Sequence, residues 1–161
     1  MRSLVVLANN AGAFPEEGNE SLEQLPLDYF DEAFPVNVVG VARVTRSFLP
    51  LPTKALHPRV INISSLEGSV SQKEYVRDCC HSASKAAPNM LTRVMAAEFS
   101  PRGIPVAAVT PRSVKTELGA PQAPLTAEES FRSLAGTIER VSPQDDWQFL
   151  DRNGLKGVTA W

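Results

Sequence analysis

Three short apolar runs, each continuous rather than alternating, decide what kind of sheet this chain can build. They are Ser3-Leu-Val-Val-Leu-Ala8, Arg59-Val-Ile-Asn-Ile-Ser64 and Ile104-Pro-Val-Ala-Ala-Val109. A strand with one wet face alternates apolar and polar residues; a continuous run suits a strand buried on both faces, as in a parallel sheet sandwiched between helices. Two long stretches with helical spacing separate the runs. In the first, Phe30, Phe34, Val38, Val41 and Phe48 recur at intervals that suit one helix face, after a plausible cap at Asp28. In the second, Ala83, Ala87, Met90, Leu91, Val94 and Met95 do the same. Strand, helix, strand, helix, strand is the order of a parallel sheet with right-handed crossovers.

Beyond the third run, Thr110 to Pro124 is rich in Pro and Gly and reads as a long loop. Thr126-Ala-Glu-Glu129 has the form of a capping box opening a helix to about Val141. Phe149-Leu150 suits a last short strand, followed by an Asn153-Gly154 turn. The length, 161 residues, suits one domain spanning 1–161 with a single core.

Composition excludes several classes of function. Sixteen basic residues against 18 acidic ones leave a net charge of −2, and the basic residues form no run or stripe that would suit nucleic acid. The longest apolar stretches, Leu4 to Ala8 and Val36 to Val44, are far too short to cross a bilayer. The N-terminus does not read as a signal peptide, because Arg2 precedes only a brief apolar run and then Asn9-Asn10. The two cysteines, Cys79 and Cys80, are adjacent, which disfavours a disulfide framework and makes a cytoplasmic setting the expectation. No metal site is expected, since ligands need wider spacing and a supporting set.

The candidate chemistry lies where strands end and helices begin. The first run closes on Asn9-Asn10-Ala11-Gly12, at the carboxyl end of a parallel strand, where α/β folds hold ligands. Phe34-Pro-Val-Asn37-Val-Val-Gly40 falls in the first helix, and Val60-Ile-Asn-Ile-Ser64-Ser65 ends the second strand, with Gly68 just beyond. Ser82-Ala-Ser-Lys85-Ala-Ala87 opens the second helix; Val109-Thr-Pro111 and Val114-Lys-Thr116 close the third strand. Taken singly, Ser65 can simply end a strand and Lys85 can be a solvated helix charge. Taken in order, the set resembles the short-chain dehydrogenase/reductase family over practically the whole chain. Gly119-Ala-Pro-Gln-Ala-Pro124, Phe149-Leu-Asp-Arg-Asn-Gly154 and Trp161 are similar to the subgroup related to the bacterial signal C-factor.

The resemblance implies a Rossmann-like three-layer α/β sandwich with a mostly parallel sheet. It implies a carbonyl/alcohol oxidoreductase using NAD or NADP. By position, Asn37 would hold a proton-relay water and Ser65 would hydrogen-bond the substrate oxygen. Lys85 would grip the nicotinamide ribose and lower the pKa of the acid beside it. Asn10, Ala11, Gly12, Val114 and Thr116 would lie along the cofactor, and Thr110 to Val141 would choose the substrate. A homo-oligomer or a protein partner is expected as well, the long helices and a bare sheet edge offering the surfaces.

The sequence departs from that family at several places. A tyrosine is expected four residues before the lysine, and His81 stands there; Tyr75 is too far from Lys85 to share its helical turn. An imidazole can donate and accept protons, with an ordinary pKa of about 6.5. The family's opening strand, Gly-rich turn and helix, which take up the cofactor pyrophosphate, have no counterpart in residues 1–161, so the first βαβ units are expected to be lacking and the substrate side to stand alone. Pro88 falls inside the Lys85 helix, where a kink and a cost of about 3 kcal/mol are expected. Pro35 threatens the geometry at Asn37, and Arg112 takes the place of a glycine after Pro111. Together these departures predict an oxidoreductase by descent with activity impaired or lost; the alternative is a non-catalytic binding or signalling protein of the C-factor type.

Overall fold

The computed structural model describes residues 4–16, 20–51, 55–75, 77–116, 122–156 and 160–161. Strand β1 (Val6–Asn9) leads to helix α1 (Asp28–Phe34), a π-helical segment (Pro35–Gly40) and helix α2 (Val41–Phe48). Strand β2 (Arg59–Ile63), a 3₁₀ turn (Leu66–Gly68) and the long helix α3 (Cys79–Phe99) follow. Strand β3 (Val106–Thr110), helix α4 (Ala127–Arg140) and strand β4 (Phe149–Asp151) complete the order. The four strands form one parallel sheet in the order β1-β2-β3-β4. Among the described residues β1 is hydrogen-bonded to β2 alone.

Both faces of the sheet are covered, which is why the runs are continuous. On one face Leu7, Val60 and Val106 pack with Val41 of α2 and with Met95, Ala96 and Phe99 of α3. On the other, Ile61, Ala107, Val109 and Leu150 pack with Val141 and the half-buried Leu134 and Ile138 of α4. Neighbouring residues of one strand thus serve opposite cores, and each fully buried Val or Ile contributes about 1.5–3 kcal/mol. The three-layer α/β sandwich expected from the sequence is the one formed.

Several local expectations need correction. Asp28 is the first residue of α1 rather than its cap; Leu27 occupies the cap position and no side chain bonds there. Thr126 and Glu129 do form a reciprocal capping box at α4. Pro88 does not interrupt α3, which runs continuously through it. Pro35 does change the first helix. Lacking an N–H, it opens the segment in which the backbone widens from α to π geometry, and Asn37 sits in that segment, buried. Part of the Gly119 to Pro124 segment lies outside the described residues.

The largest correction concerns α3. Met90 and Val94, taken as its inner face, are 64% and 54% exposed. The buried side instead carries Ser84, Lys85, Asn89 and Thr92 beside Met95, Ala96 and Phe99. That polar stripe is satisfied by the sheet. Asn62 of β2 receives a hydrogen bond from Asn9 at 2.8 Å and donates to Thr92 at 2.8 Å, while Asn9 also donates to Thr45 of α2. Ser64 donates to Asn89 at 2.6 Å, and Asn89 donates to the Gly68 carbonyl at 3.0 Å. Buried polar groups are tolerated only when paired, and these side chains are.

Gly68 lets α3 come this close. A Cβ at this position would lie 2.6 Å from the Lys85 carbonyl carbon and 2.7 Å from its oxygen, both backbone atoms. Gly68→Ala must therefore push the turn away from α3, at roughly 1–3 kcal/mol for overpacking. The expected drop in Tm is about 2–4 °C per kcal/mol for a chain of this size. An unchanged Tm in a thermal melt would show that the turn yields freely and does not brace Lys85.

Candidate active site

The carboxyl ends of β1, β2 and β3 open into a cavity of ≈ 640 Å³, within the size range of small-molecule sites. Its wall includes Asn10, Ala11 and Gly12 after β1, and Ser65 after β2. His81 and Lys85 from α3 and Val114 and Thr116 after β3 complete it. Of the residues expected from the sequence, only Asn37 stands behind the wall.

Lys85 is no solvated charge. It is 7% exposed, and its Nζ donates to the Ile63 carbonyl at 3.2 Å. Burial lowers its pKa from the ordinary 10.5. An ammonium carries three donors, so this one bond leaves others for a ligand in the cavity. Ser65 accepts a hydrogen bond from the Glu67 amide at 3.2 Å, and that bond does not use its hydroxyl hydrogen. Both the strand-end reading of Ser65 and a role toward a ligand oxygen are therefore compatible with its geometry.

Asn37 has a structural task. Its Nδ2 donates to the Ala13 carbonyl and to Ser84 Oγ, both at 2.9 Å, and its Oδ1 accepts from the Ala13 amide at 2.8 Å. Both amide hydrogens are used, so the side chain clamps the loop after β1 to α3.

His81 lies one helical turn before Lys85, so the two share a face of α3. Its ring meets Phe14 edge-on with centroids 4.7 Å apart, and its buried Nδ1 has no hydrogen-bond partner. Burial, reinforced by the positive charge of Lys85, lowers its pKa from 6.5 to about 4; the Glu67 carboxylate and the Ala13 backbone oppose the shift without overcoming it. At pH 7 only about one molecule in a thousand then carries the imidazolium.

Two acidic residues that pattern reading passed over shape this corner. Glu16, buried in the loop after β1, accepts the amides of Cys80 at 3.0 Å and His81 at 2.7 Å. It thereby satisfies the start of α3, where Asp78 occupies the cap position in a left-handed conformation and makes no cap bond. Glu67 lines the cavity and is held by Lys73 at 2.7 Å and by the Tyr75 hydroxyl. Burial raises the Glu67 pKa, but those two hydrogen bonds together with the neighbouring positive charge, chiefly that of Lys73, make the net shift downward. Tyr75, through burial and its bond to Glu67, is pushed up to about 12. Its phenol is committed to a carboxylate and does not replace the missing tyrosine. The buried Asn62 in an otherwise apolar strand was the one sequence signal that a polar network lay behind the site.

The wall combines cationic, hydroxyl and small apolar residues. A buried ammonium with unused donors shares one cavity with the loop after β1 and with Val114 and Thr116. Two of the cavity's other titratable groups, His81 and Glu67, are held neutral and ion-paired respectively. Among the described residues no cluster of His, Cys, Asp or Glu could hold a metal ion, and no helix is long and apolar enough to cross a membrane.

A family model described as short chain dehydrogenase matches residues 1–125. Similar curated proteins include C-signal of Myxococcus xanthus, 32% identical over 132 residues and covering 81% of this chain and 80% of that one. The 17-beta-hydroxysteroid dehydrogenase type 2 of Homo sapiens is 35% identical over 161 residues, which are 99% of this chain but 34% of that protein. Among solved structures, carbonyl reductase Sniffer of D. melanogaster superposes with a TM-score of 0.93 at 25% identity, over 99% of this chain and 67% of that one. An NADPH-bound carbonyl reductase from chicken fatty liver gives 0.88 at 28% identity, again over 99% and 67%. The chain thus spans about two thirds of the carbonyl reductases and a third of the human steroid enzyme.

Proposed function

This chain belongs to the short-chain dehydrogenase family, and from that premise we propose that its Lys85 cavity binds NAD or NADP with a small carbonyl or alcohol and turns it over slowly. The observation that carries the reading is His81 beside the buried Lys85. A buried ammonium with donors to spare supports binding, and an imidazole uncharged at neutral pH supports slow turnover. A bound nicotinamide ring would give a hydride to a carbonyl or take one from an alcohol. Lys85 would hold the ribose hydroxyls, Asn10, Ala11, Gly12, Val114 and Thr116 would flank the cofactor, and Ser65 would donate to the substrate oxygen. His81 would supply the proton that the reduced oxygen needs, or receive it in the reverse direction.

The experiment that tests binding is calorimetric titration of the purified chain with NADH and NADPH. Micromolar affinity supports the reading; no heat at millimolar cofactor overturns it. The same site predicts a pH dependence. Reduction needs the imidazolium, so the rate should rise about tenfold per pH unit as pH falls from 7 toward His81's pKa of about 4. Stability moves the other way. The folded pKa lies below the unfolded 6.5, so His81's contribution is complete above pH 6.5 and is lost as pH falls toward 4. The rise is therefore to be read just below neutrality, with a melt at each pH. A flat profile would mean that His81 gives no proton.

A second reading rests on the near-coextensive match to C-signal, 80% of whose length is covered. On it the chain is a non-catalytic binding or signalling protein of the C-factor type, acting as a homo-oligomer or with a protein partner. A monomer in sedimentation that binds no cofactor would count against both readings.

A further inference from the structure

One residue of the cavity wall stands in a backbone conformation unsuited to it. The chain leaves β3 at Thr110, passes Pro111 and turns at Arg112 with φ 63°, and the Arg112 amide donates to Thr110 Oγ1 at 3.1 Å. This left-handed conformation suits glycine, and a long side chain takes it at a cost. A glycine would make the same turn without strain, so what the arginine adds is its side chain. Arg112 is one of the residues that line the cavity that also holds Lys85.

The guanidinium is held loosely. Its ion pair among the described residues is with Asp151 Oδ2 at 3.9 Å. Asp151 itself is fixed by its own turn, its Oδ1 accepting the amides of Asn153 and Leu155, both at 2.9 Å. Asp151 therefore restrains the arginine at a distance that leaves its fork of donors largely unspent. The other charges on the wall are the Lys85 ammonium and the Glu67 carboxylate, and Lys73 already neutralises the latter. The cavity thus offers two cations to a ligand, and a planar guanidinium matches a phosphate through paired N–H donors.

We infer that Arg112 binds a phosphate group of the ligand that enters the Lys85 cavity. On the reading proposed above, that group is the phosphate next to the nicotinamide riboside; a phosphorylated substrate would present the same chemistry. The inference concerns Arg112 and an anion, and it stands or falls separately from the nicotinamide reading.

The test is calorimetric titration of the full chain and of Arg112→Gly with three probes: nicotinamide mononucleotide, nicotinamide riboside and inorganic pyrophosphate. Arg112→Gly suits the positive φ, so its Tm should not fall and a loss of binding cannot be put down to misfolding. The wild type should bind the mononucleotide about tenfold more tightly than the riboside, a preference that Arg112→Gly erases while leaving riboside affinity unchanged. Pyrophosphate should bind the wild type measurably and the variant about tenfold more weakly. If pyrophosphate binds through Arg112 while neither nicotinamide compound binds, the phosphate site holds, its ligand is another phosphate, and the nicotinamide reading fails. If the variant keeps the mononucleotide preference, or binds pyrophosphate as the wild type does, Arg112 is not the phosphate residue. No pyrophosphate heat in either protein would overturn the inference as well.

Discussion

His81→Tyr should raise the rate of carbonyl reduction at pH 7 by roughly a hundredfold, at the low end of what a positioned general acid contributes. The reason is the state of the proton. In the wild type the donor form of His81 is rare at neutral pH, because burial and Lys85 both disfavour a second positive charge. A phenol reverses the electrostatics. Its acid form is neutral and fully populated at pH 7, and the ammonium one turn away lowers its pKa toward neutrality rather than opposing the donor. The substitution also lengthens the side chain toward the cavity that His81 lines. The measurement is NADPH oxidation followed at its absorbance with a panel of aromatic aldehydes and ketones, in variant and wild type, with cofactor affinity measured on both. A gain should come with loss of the acid-side rise in rate expected for the wild type. Equal affinity and no gain would show that the proton donor is not what limits this site.

The sheet was legible because its strands are buried on both faces, and continuous runs of Val, Ile, Leu and Ala have few other uses at that length. The placement of His81 and Lys85 on one helical face followed from their spacing of four. What sequence could not disclose was the inner side of α3. Apolar periodicity pointed to Met90 and Val94, yet the helix turns Ser84, Asn89 and Thr92 inward, since Asn62 and Ser64 of β2 wait there with unspent hydrogen-bonding groups. A polar helix stripe is unfavourable by itself, and only the partner strand makes it acceptable. Glu16 was invisible for a similar reason. Its task is to cap a helix that starts 63 residues later (79 minus 16), and no local pattern announces such a bond. Pro35 could be seen as a disturbance but not as a widened turn with Asn37 inside it, because that outcome depends on what Asn37 can reach, here Ala13 and Ser84.

The second large effect separates stability from binding at Lys85. Lys85→Met should weaken NADPH binding by roughly ten- to a hundredfold, the loss of a charge-assisted hydrogen bond at about 1.5–3 kcal/mol, while Tm holds or rises. The ammonium is buried and its folded pKa lies below 10.5. The unfolded lysine is solvated, so desolvating the ammonium is a cost that falls on the folded state alone. A methionine of similar length removes that cost and fills the same space; what it gives up is the bond to the Ile63 carbonyl, worth a kcal/mol or so. The sign can be checked independently. As pH rises through the lowered folded pKa the wild-type lysine neutralises and its penalty lifts, so any stability advantage of the variant should shrink as pH approaches the ordinary 10.5. Melts of both proteins from neutral pH upward, with titration of NADPH at pH 7, read the two halves separately. A clear fall in Tm with unchanged affinity would make Lys85 a packing residue of α3. Tm held and affinity lost would mean that the fold tolerates a buried charge there, and that the charge serves the ligand.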